Sequence, residues 1–82
     1  MDLADSGYSG TALQILVAAG VAVGDRIRVQ QGDVDHTGLL MPRAQVGSDS
    51  DHIVVKLDNG YNIGIRLYEC SRVTRVERRR RA

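Results

Sequence analysis

The stretch 51–69, DHIVVKLDNGYNIGIRLYE, constrains the fold more than any other part of this chain. Ile53, Val55 and Leu57 alternate with polar or less buried positions, and so do Tyr61, Ile63 and Ile65. Such alternation marks two strands, each with one buried face. Asn59-Gly60 invites a two-residue type I′ loop between them. That loop would set Leu57 opposite Asn62 and Lys56 opposite Ile63, and opposed residues share a face. Each pair would then join an apolar residue to a polar one. A three-residue loop, Asp58-Asn59-Gly60, instead pairs Leu57 with Tyr61, Val55 with Ile63 and Ile53 with Ile65. Gly60 then takes the left-handed position of a type I turn with a G1 bulge, where a Cβ would clash. Only this register satisfies every pair, and the sequence predicts the bulged hairpin.

The rest of the chain is short enough to be built around that hairpin. Its 82 residues make one small domain, near the size at which a hydrophobic core only just supports folding. With three Tyr, no Trp and no Phe, the core must come from Val, Ile and Leu, which suits strands. The single Cys70 has no internal disulfide partner, so the expected setting is a reducing cytoplasm. The longest apolar run, 15–23, is too short for a bilayer span of about 20 residues and lacks the flanks of a signal peptide. A soluble intracellular chain with no membrane partner is expected.

In chain order, 1–10 is polar with repeated Gly and Ser, and reads as a disordered tail. Thr11 offers an N-cap with Gln14 completing a capping box, and a helix over 12–19 closes at Gly20 in the left-handed C′ position. Leu13, Leu16 and Val17 form its apolar face, expected to dock on the open end of a β core. Gly24-Asp25 turns into a first strand, 26–30, with Ile27 and Val29 inward. A turn over 31–35 leads to a second strand, 37–41, with Leu39 and Met41 sharing one face and Pro42 ending it. A mobile loop over 43–50, the hairpin, and a short turn or 3₁₀ segment over 66–71 follow. In a last strand, 72–76, Val73 and Val76 cannot both face inward. Either a bulge lies between them or one is only partly buried. The expected fold is mainly β: a small five-stranded SH3-like barrel with a short N-terminal helix, spanning 11–77, and a basic tail or linker start over 78–82.

Little in the sequence carries chemistry. His36, His52 and Cys70 are the only soft metal ligands, and no C-x₂-C or H-x₃-H spacing joins them, so no metal site is predicted. Cys70 reads as a small buried apolar side chain and His52 as a solvated residue at a strand start. Asp25, Asp33, Asp35, Asp49, Asp51 and Asp58 fall in turns, where carboxylates shape backbone. No phosphate-binding glycine loop is present, so no nucleotide or other cofactor is expected. Gly64 lies opposite Val54 on the outer face of the hairpin. A glycine inside a strand marks a bend, a bulge or close approach by another backbone. Barrel curvature explains it, and so does a notch for a neighbouring domain with Val54 as its floor.

Three segments look like one known domain. They are Gly24-Asp25-Arg26-Ile27-Arg28-Val29, then Gly38-Leu39-Leu40-Met41-Pro42, then the hairpin from His52 to Ile65. They resemble the N-terminal barrel of the D subunit of archaeal glutamyl-tRNA(Gln) amidotransferase, as do the short helix ending at Gly20 and the Val-Gly-Asp lead-in. The likeness runs over about 12–77. The resemblance implies a part in converting Glu-tRNA(Gln) to Gln-tRNA(Gln). In that family the D subunit releases ammonia from an amide donor in an asparaginase-like domain, and its partner, the E subunit, activates the tRNA-borne glutamate with ATP. The family's catalytic threonines, aspartate and lysine belong to that later, asparaginase-like domain. Thr11, Thr37 and Thr74 lack the Gly-Gly-Thr-type context, so no catalytic residue carries over. The chain stops at Ala82 and has a longer polar N-terminus than the family pattern, as an excised domain would.

Two functions compete on this reading. The first is a non-catalytic accessory domain that contacts the rest of the D subunit, or the E subunit, through Val54, Lys56, Asn62 and Gly64, and meets tRNA only indirectly or weakly. The second is an independent RNA-binding barrel. From Arg66 onward the charge is +5, against −4 before it. Arg26, Arg28, Arg72 and Arg75, with the arginines of 78–81, would form a stripe across neighbouring first and last strands. The 78–81 run has no interleaved aromatic to stack bases, which favours reading it as a solvated tail at a truncation or linker. A proline-peptide module is disfavoured, because Tyr61 and Tyr68 do not make an aromatic groove and Tyr61 is assigned inward.

Overall fold

The computed structural model describes residues 3, 6–43 and 51–78. It contains one helix, α1 (Gly10–Ala19), and five strands: β1 (Arg26–Gln31), β2 (Val34–Met41), β3 (His52–Leu57), β4 (Asn62–Arg66) and β5 (Arg72–Glu77). They form a single antiparallel sheet in the order β4-β3-β2-β1-β5. The ladder is not closed into a barrel: β4 and β5 are its two edges. The Gln31 amide nevertheless bridges toward closure, donating to the Arg66 carbonyl and, at 2.9 Å, to Ser71 Oγ.

The hairpin takes the predicted register. Ile53 faces Ile65, Val55 faces Ile63, and the Leu57 N–H donates to the Tyr61 carbonyl at 2.8 Å. Gly60 closes the type I turn with a bond to the Leu57 carbonyl, at φ 89°. Tyr61, however, does not face inward; it is 71% exposed. It sits where the hairpin tip projects beyond the core, and an amphipathic ring can stay wet there.

The second strand is longer than expected, and its turn decides which face points inward. It starts at Val34, because Gly32-Asp33 is a two-residue loop that pairs Gln31 directly with Val34. Gly32 has φ 58° at the first loop position. Continuing that register sets Gly38 opposite Ile27 and puts Gly38 and Leu40 on the inner face, so the face that Leu39 and Met41 share, as expected, is the outer one. Gly38 belongs there because a Cβ would come within 2.7 Å of Val55 Cγ1 and collide with the Lys56 carbonyl. In β5, Arg26 pairs with Glu77 and Ile27 with Arg75, so Val76 is the extra residue of a bulge. Val73 is buried and Val76 exposed, and both expected alternatives hold together.

Helix α1 ends as predicted, with Gly20 left-handed and a Schellman pair from Gly20 N–H to Val17 and Val21 N–H to Leu16. It begins earlier, with Ser9 rather than Thr11 at the N-cap. Its buried arc centres on Ala12 and Leu16 with Leu13, Ile15 and Ala19 beside them, while Val17 is 62% exposed. At about 100° per residue, Val17 falls outside that arc. Alanines carry little hydrophobic weight, which is why the sequence alone points the helix wrongly.

The N-terminal segment is the largest correction. Leu3, Ser6 and Tyr8, placed by the sequence in a disordered tail, are buried. Tyr8 is among the largest fully buried side chains, beside Leu16, Ile27, Leu40, Ile53 and Leu67. Its hydroxyl donates to the Met41 carbonyl at 2.6 Å and accepts the Val54 N–H at 3.0 Å. Met41 and Val54 are opposed residues at the end of the β2–β3 ladder, so one side chain closes it. The Arg43 N–H donates to the Ser6 carbonyl at 2.8 Å and holds the segment down. Burial pushes the Tyr8 phenol above its ordinary pKa, so it keeps the proton it donates. A core this small gains much from one aromatic, and a polar-looking segment carries no periodic signal of it. Residues 1–2, 4–5, the loop residues 44–50 and the tail 79–82 lie outside the described residues.

Tyr8→Phe keeps the ring and strips both hydrogen bonds from the Met41–Val54 pair. We expect a stability loss of about 1–3 kcal/mol in urea denaturation with the fold intact. A loss within error would show that the hydroxyl does not fasten the ladder.

Candidate interaction surface

The outer face of the sheet follows from the registers just given. Val54 is opposed by Gly64 on one side and Met41 on the other. The next row runs Asn62, Lys56, Leu39, Arg26 and Glu77. Val54, Lys56, Asn62 and Gly64 therefore lie together on one face: Val54 is half-buried and the other three are exposed. Leu39 and Met41 extend the apolar part of this face across β2. The sequence groups Leu39 and Met41 on one face without naming them as part of the site, and the Gly-Asp loop at 32–33 is the signal that assigns that face to the outside. Farther along, Gly24, Arg26, Leu39, Glu77 and Arg78 line an open hollow of about 450 Å³.

Gly64 differs in kind from Gly38. Its φ is not positive, and among the described residues an added Cβ would meet His52 Cδ2 alone, at 3.8 Å, an ordinary contact. Among the described residues, neither backbone strain nor crowding requires glycine there.

The four arginines of the expected RNA stripe do not act as one set. Arg26 makes a two-bonded pair with Asp58, both contacts at 2.8 Å. Arg28 pairs with Asp35 through Nε, at 3.0 and 2.9 Å, and through Nη2. Arg75 lies opposite inward-facing Ile27 and reaches the other way, donating to the Gly20 carbonyl at the C-terminus of α1, at 3.1 Å. A cation there complements the helix dipole. Arg72, opposite Gln30, shares the outer parity and is exposed. On β4, Arg66 stands 5.7 Å from the Tyr68 ring centroid and 3.6 Å from Asp51. Cys70, expected to be buried, is exposed in the turn after β4, where the Ser71 hydroxyl does the organising by accepting the Tyr68 N–H at 2.8 Å. Asp25 behaves as a turn-shaping carboxylate should: it is buried and accepts the Ala22 N–H at 2.8 Å.

Charge-assisted bonds from Arg26 and Arg28 hold the Asp58 and Asp35 carboxyls below their ordinary pKa. A carboxylate whose folded pKa is depressed stabilises the fold above its unfolded pKa. That contribution is lost as pH falls through the folded value. It is therefore intact at neutrality and fades below about pH 4. Denaturation midpoints measured down that limb will fall, and the double variant Asp35→Asn/Asp58→Asn will flatten this part of the curve. Both pairs are exposed, so about 0.5 M salt will shrink the difference.

Comparison with known proteins places this arrangement. The family model for the GatD N-terminal domain matches residues 21–76. The glutamyl-tRNA(Gln) amidotransferase D subunit of Methanopyrus kandleri is 49% identical over 63 residues, 76% of this chain and 14% of that protein. The D subunit of Sulfurisphaera tokodaii is 42% identical over 74 residues, covering 90% of this chain and 16% of its own length. That of Thermofilum pendens is 44% identical over 73 residues, 88% of this chain and 16% of the relative. The chain thus spans about 14–16% of the length of these relatives. The hairpin and both turns that set its neighbours' parity fall inside the matched span, and the chain belongs to the GatD N-terminal domain family.

Proposed function

We propose that this chain is a non-catalytic accessory domain of a tRNA-dependent amidotransferase that converts Glu-tRNA(Gln) to Gln-tRNA(Gln). In this reading it is part of GatD, the ammonia-releasing, asparaginase-like component of that ATP-dependent ligase, and works in the cytoplasm. Its partners are the remainder of GatD and the glutamate-activating E subunit, with tRNA met only indirectly or weakly. The observation that carries the reading is the outer face itself. Met41, Val54 and the unfilled Gly64 notch adjoin exposed Lys56 and Asn62, on a domain whose relatives are several times longer. A half-buried apolar strip with a polar margin suits a modest protein–protein contact. The hollow beside Leu39 brings no set of groups together that suggests catalysis, since its charged lining is Arg26, Glu77 and Arg78. Among the described residues, no helix is long and apolar enough to cross a membrane.

The arginine geometry supports docking over the RNA alternative. Arg26 and Arg28 are engaged with carboxylates and Arg75 with a helix end, and ion-paired guanidiniums release fewer counterions on meeting phosphate.

Val54→Asp places a carboxylate on the outer face without touching the core. The domain is expected to fold normally by circular dichroism. Its association with the remainder of GatD, or with the E subunit, should weaken by about tenfold or more. Unchanged assembly would overturn the docking surface. Titration of the isolated chain with tRNA at low and high salt decides the rival: we expect no binding, whereas a steep salt slope near −0.7 per neutralised phosphate would favour RNA recognition.

A further inference from the structure

The two edges of the sheet are treated differently. β5 is blunted: its pairing is broken by the bulge at Val76, helix α1 packs against it, and Arg75 ties it to Gly20. These are ordinary means of keeping an edge from pairing with another chain. Among the described residues, β4 has no proline and no bulge against β3, and what guards it is confined to its C-terminal end, where Arg66 supplies a charge and the Gln31 amide bonds the Arg66 carbonyl.

The direction of every backbone group on β4 can be worked out. Leu57 N–H bonds to the Tyr61 carbonyl, and Leu67 N–H to the Asp51 carbonyl. Antiparallel ladders alternate, so Ile63 and Ile65 also turn their N–H and C=O groups toward β3. Asn62, Gly64 and Arg66 then turn theirs outward, and the Gln31 amide reaching the Arg66 carbonyl from that side agrees. Asn62 and Gly64 leave two donors and two acceptors in a row on an exposed edge. Gly64, which the domain's own packing leaves free to carry a Cβ, stands in the middle of that row.

We propose that the open edge of β4 is a strand-acceptor site that takes an extended segment of a partner polypeptide, with a large apolar side chain seated over Gly64. This deepens the docking function proposed above and rests on it. The incoming strand pairs its backbone with Asn62 and Gly64 and continues the sheet. Its residue opposite Gly64 lies across the missing side chain onto Val54 and Met41, as an aromatic covers an edge glycine in a sheet. Lys56 and Arg66 stand on the outer face on either side of that seat, and the residues between them, Asn62, Val54 and Gly64, are uncharged. Carboxylates flanking the apolar residue complement that pattern. A second copy of this chain fits worse: antiparallel pairing of β4 with β4 about Gly64 sets one empty notch against another and leaves both unfilled.

The probe is the peptide Glu-Val-Phe-Val-Glu, blocked at both ends, titrated into the isotope-labelled 82-residue chain. Saturable binding with a Kd below about 1 mM is expected, with the Asn62 and Gly64 amides gaining protection from hydrogen exchange. Replacing Phe by Gly in the peptide should weaken binding by about tenfold. Gly64→Val fills the seat, and Asn62→Pro removes an outward donor from an edge where proline is tolerated. Each should weaken binding by about tenfold or more while the melting temperature holds. Absence of saturable binding up to about 1 mM, protection on β5 instead, or undiminished binding to both variants overturns the proposal. Dimerisation of the chain through β4 also overturns it. The two readings separate cleanly: if Val54→Asp breaks assembly but Gly64→Val and Asn62→Pro do not, the face docks a partner without strand addition.

Discussion

Two tight turns decide which side of this protein is which. Gly32 and Gly60, at φ 58° and 89°, let the chain reverse in two and three residues, respectively. Because strand side chains alternate, the length of each reversal fixes the face of every residue in the strands it joins. One residue more at 32–33 would exchange Leu40 for Leu39 in the core and move Gly38 out from under β3. The same parity brings Val54, Lys56, Asn62 and Gly64 to one surface and sends Arg75 to the other. The interior and the candidate site are thus one consequence of two left-handed glycines.

A sheet of five short strands encloses little, and the chain makes up the difference with segments that are not strands. Helix α1 contributes Ala12 and Leu16, and the N-terminal segment contributes Leu3 and Tyr8. Domains of this size bury a smaller share of their surface than larger ones do, so a single ring with two satisfied hydrogen bonds matters in proportion. The Tyr8 hydroxyl also links the proposed docking face to the core, since it receives the N–H of Val54, which lies on that face. Core closure and surface geometry meet at that residue.

Legibility in the sequence follows how local the determining physics is. The 53–65 hairpin was readable because its two faces and its turn constrain one another within a short stretch, and only one register agreed. The Gly20 cap and the conflict between Val73 and Val76 were readable for the same reason. Leu39-Leu40-Met41 was not, since three apolar residues in a row carry no parity of their own; the information lay in Gly32-Asp33, several residues away. Tyr8 was hidden further, because its partners Met41 and Val54 are 33 and 46 residues distant. That Val54, Lys56, Asn62 and Gly64 share one face was readable from the hairpin alone. The arginines were misgrouped because composition shows charge and not the carboxylate across the sheet that meets it.

That last difference separates two ways a small basic-tailed β domain can recognise a partner. Recognition through phosphates needs cations whose counterions are free to leave. Here Asp58 and Asp35 already occupy Arg26 and Arg28, and they do so at the surface, where each pair costs little to keep. Recognition through backbone needs an edge with donors and acceptors exposed and no side chain in the way. Asn62 and Gly64 supply that, and the contrast between two glycines makes it more than an accident of exposure. Gly38 is glycine because β3 crosses too closely for anything larger. Gly64 has room among the described residues and no positive φ, and that contrast is what the proposed strand-acceptor edge accounts for.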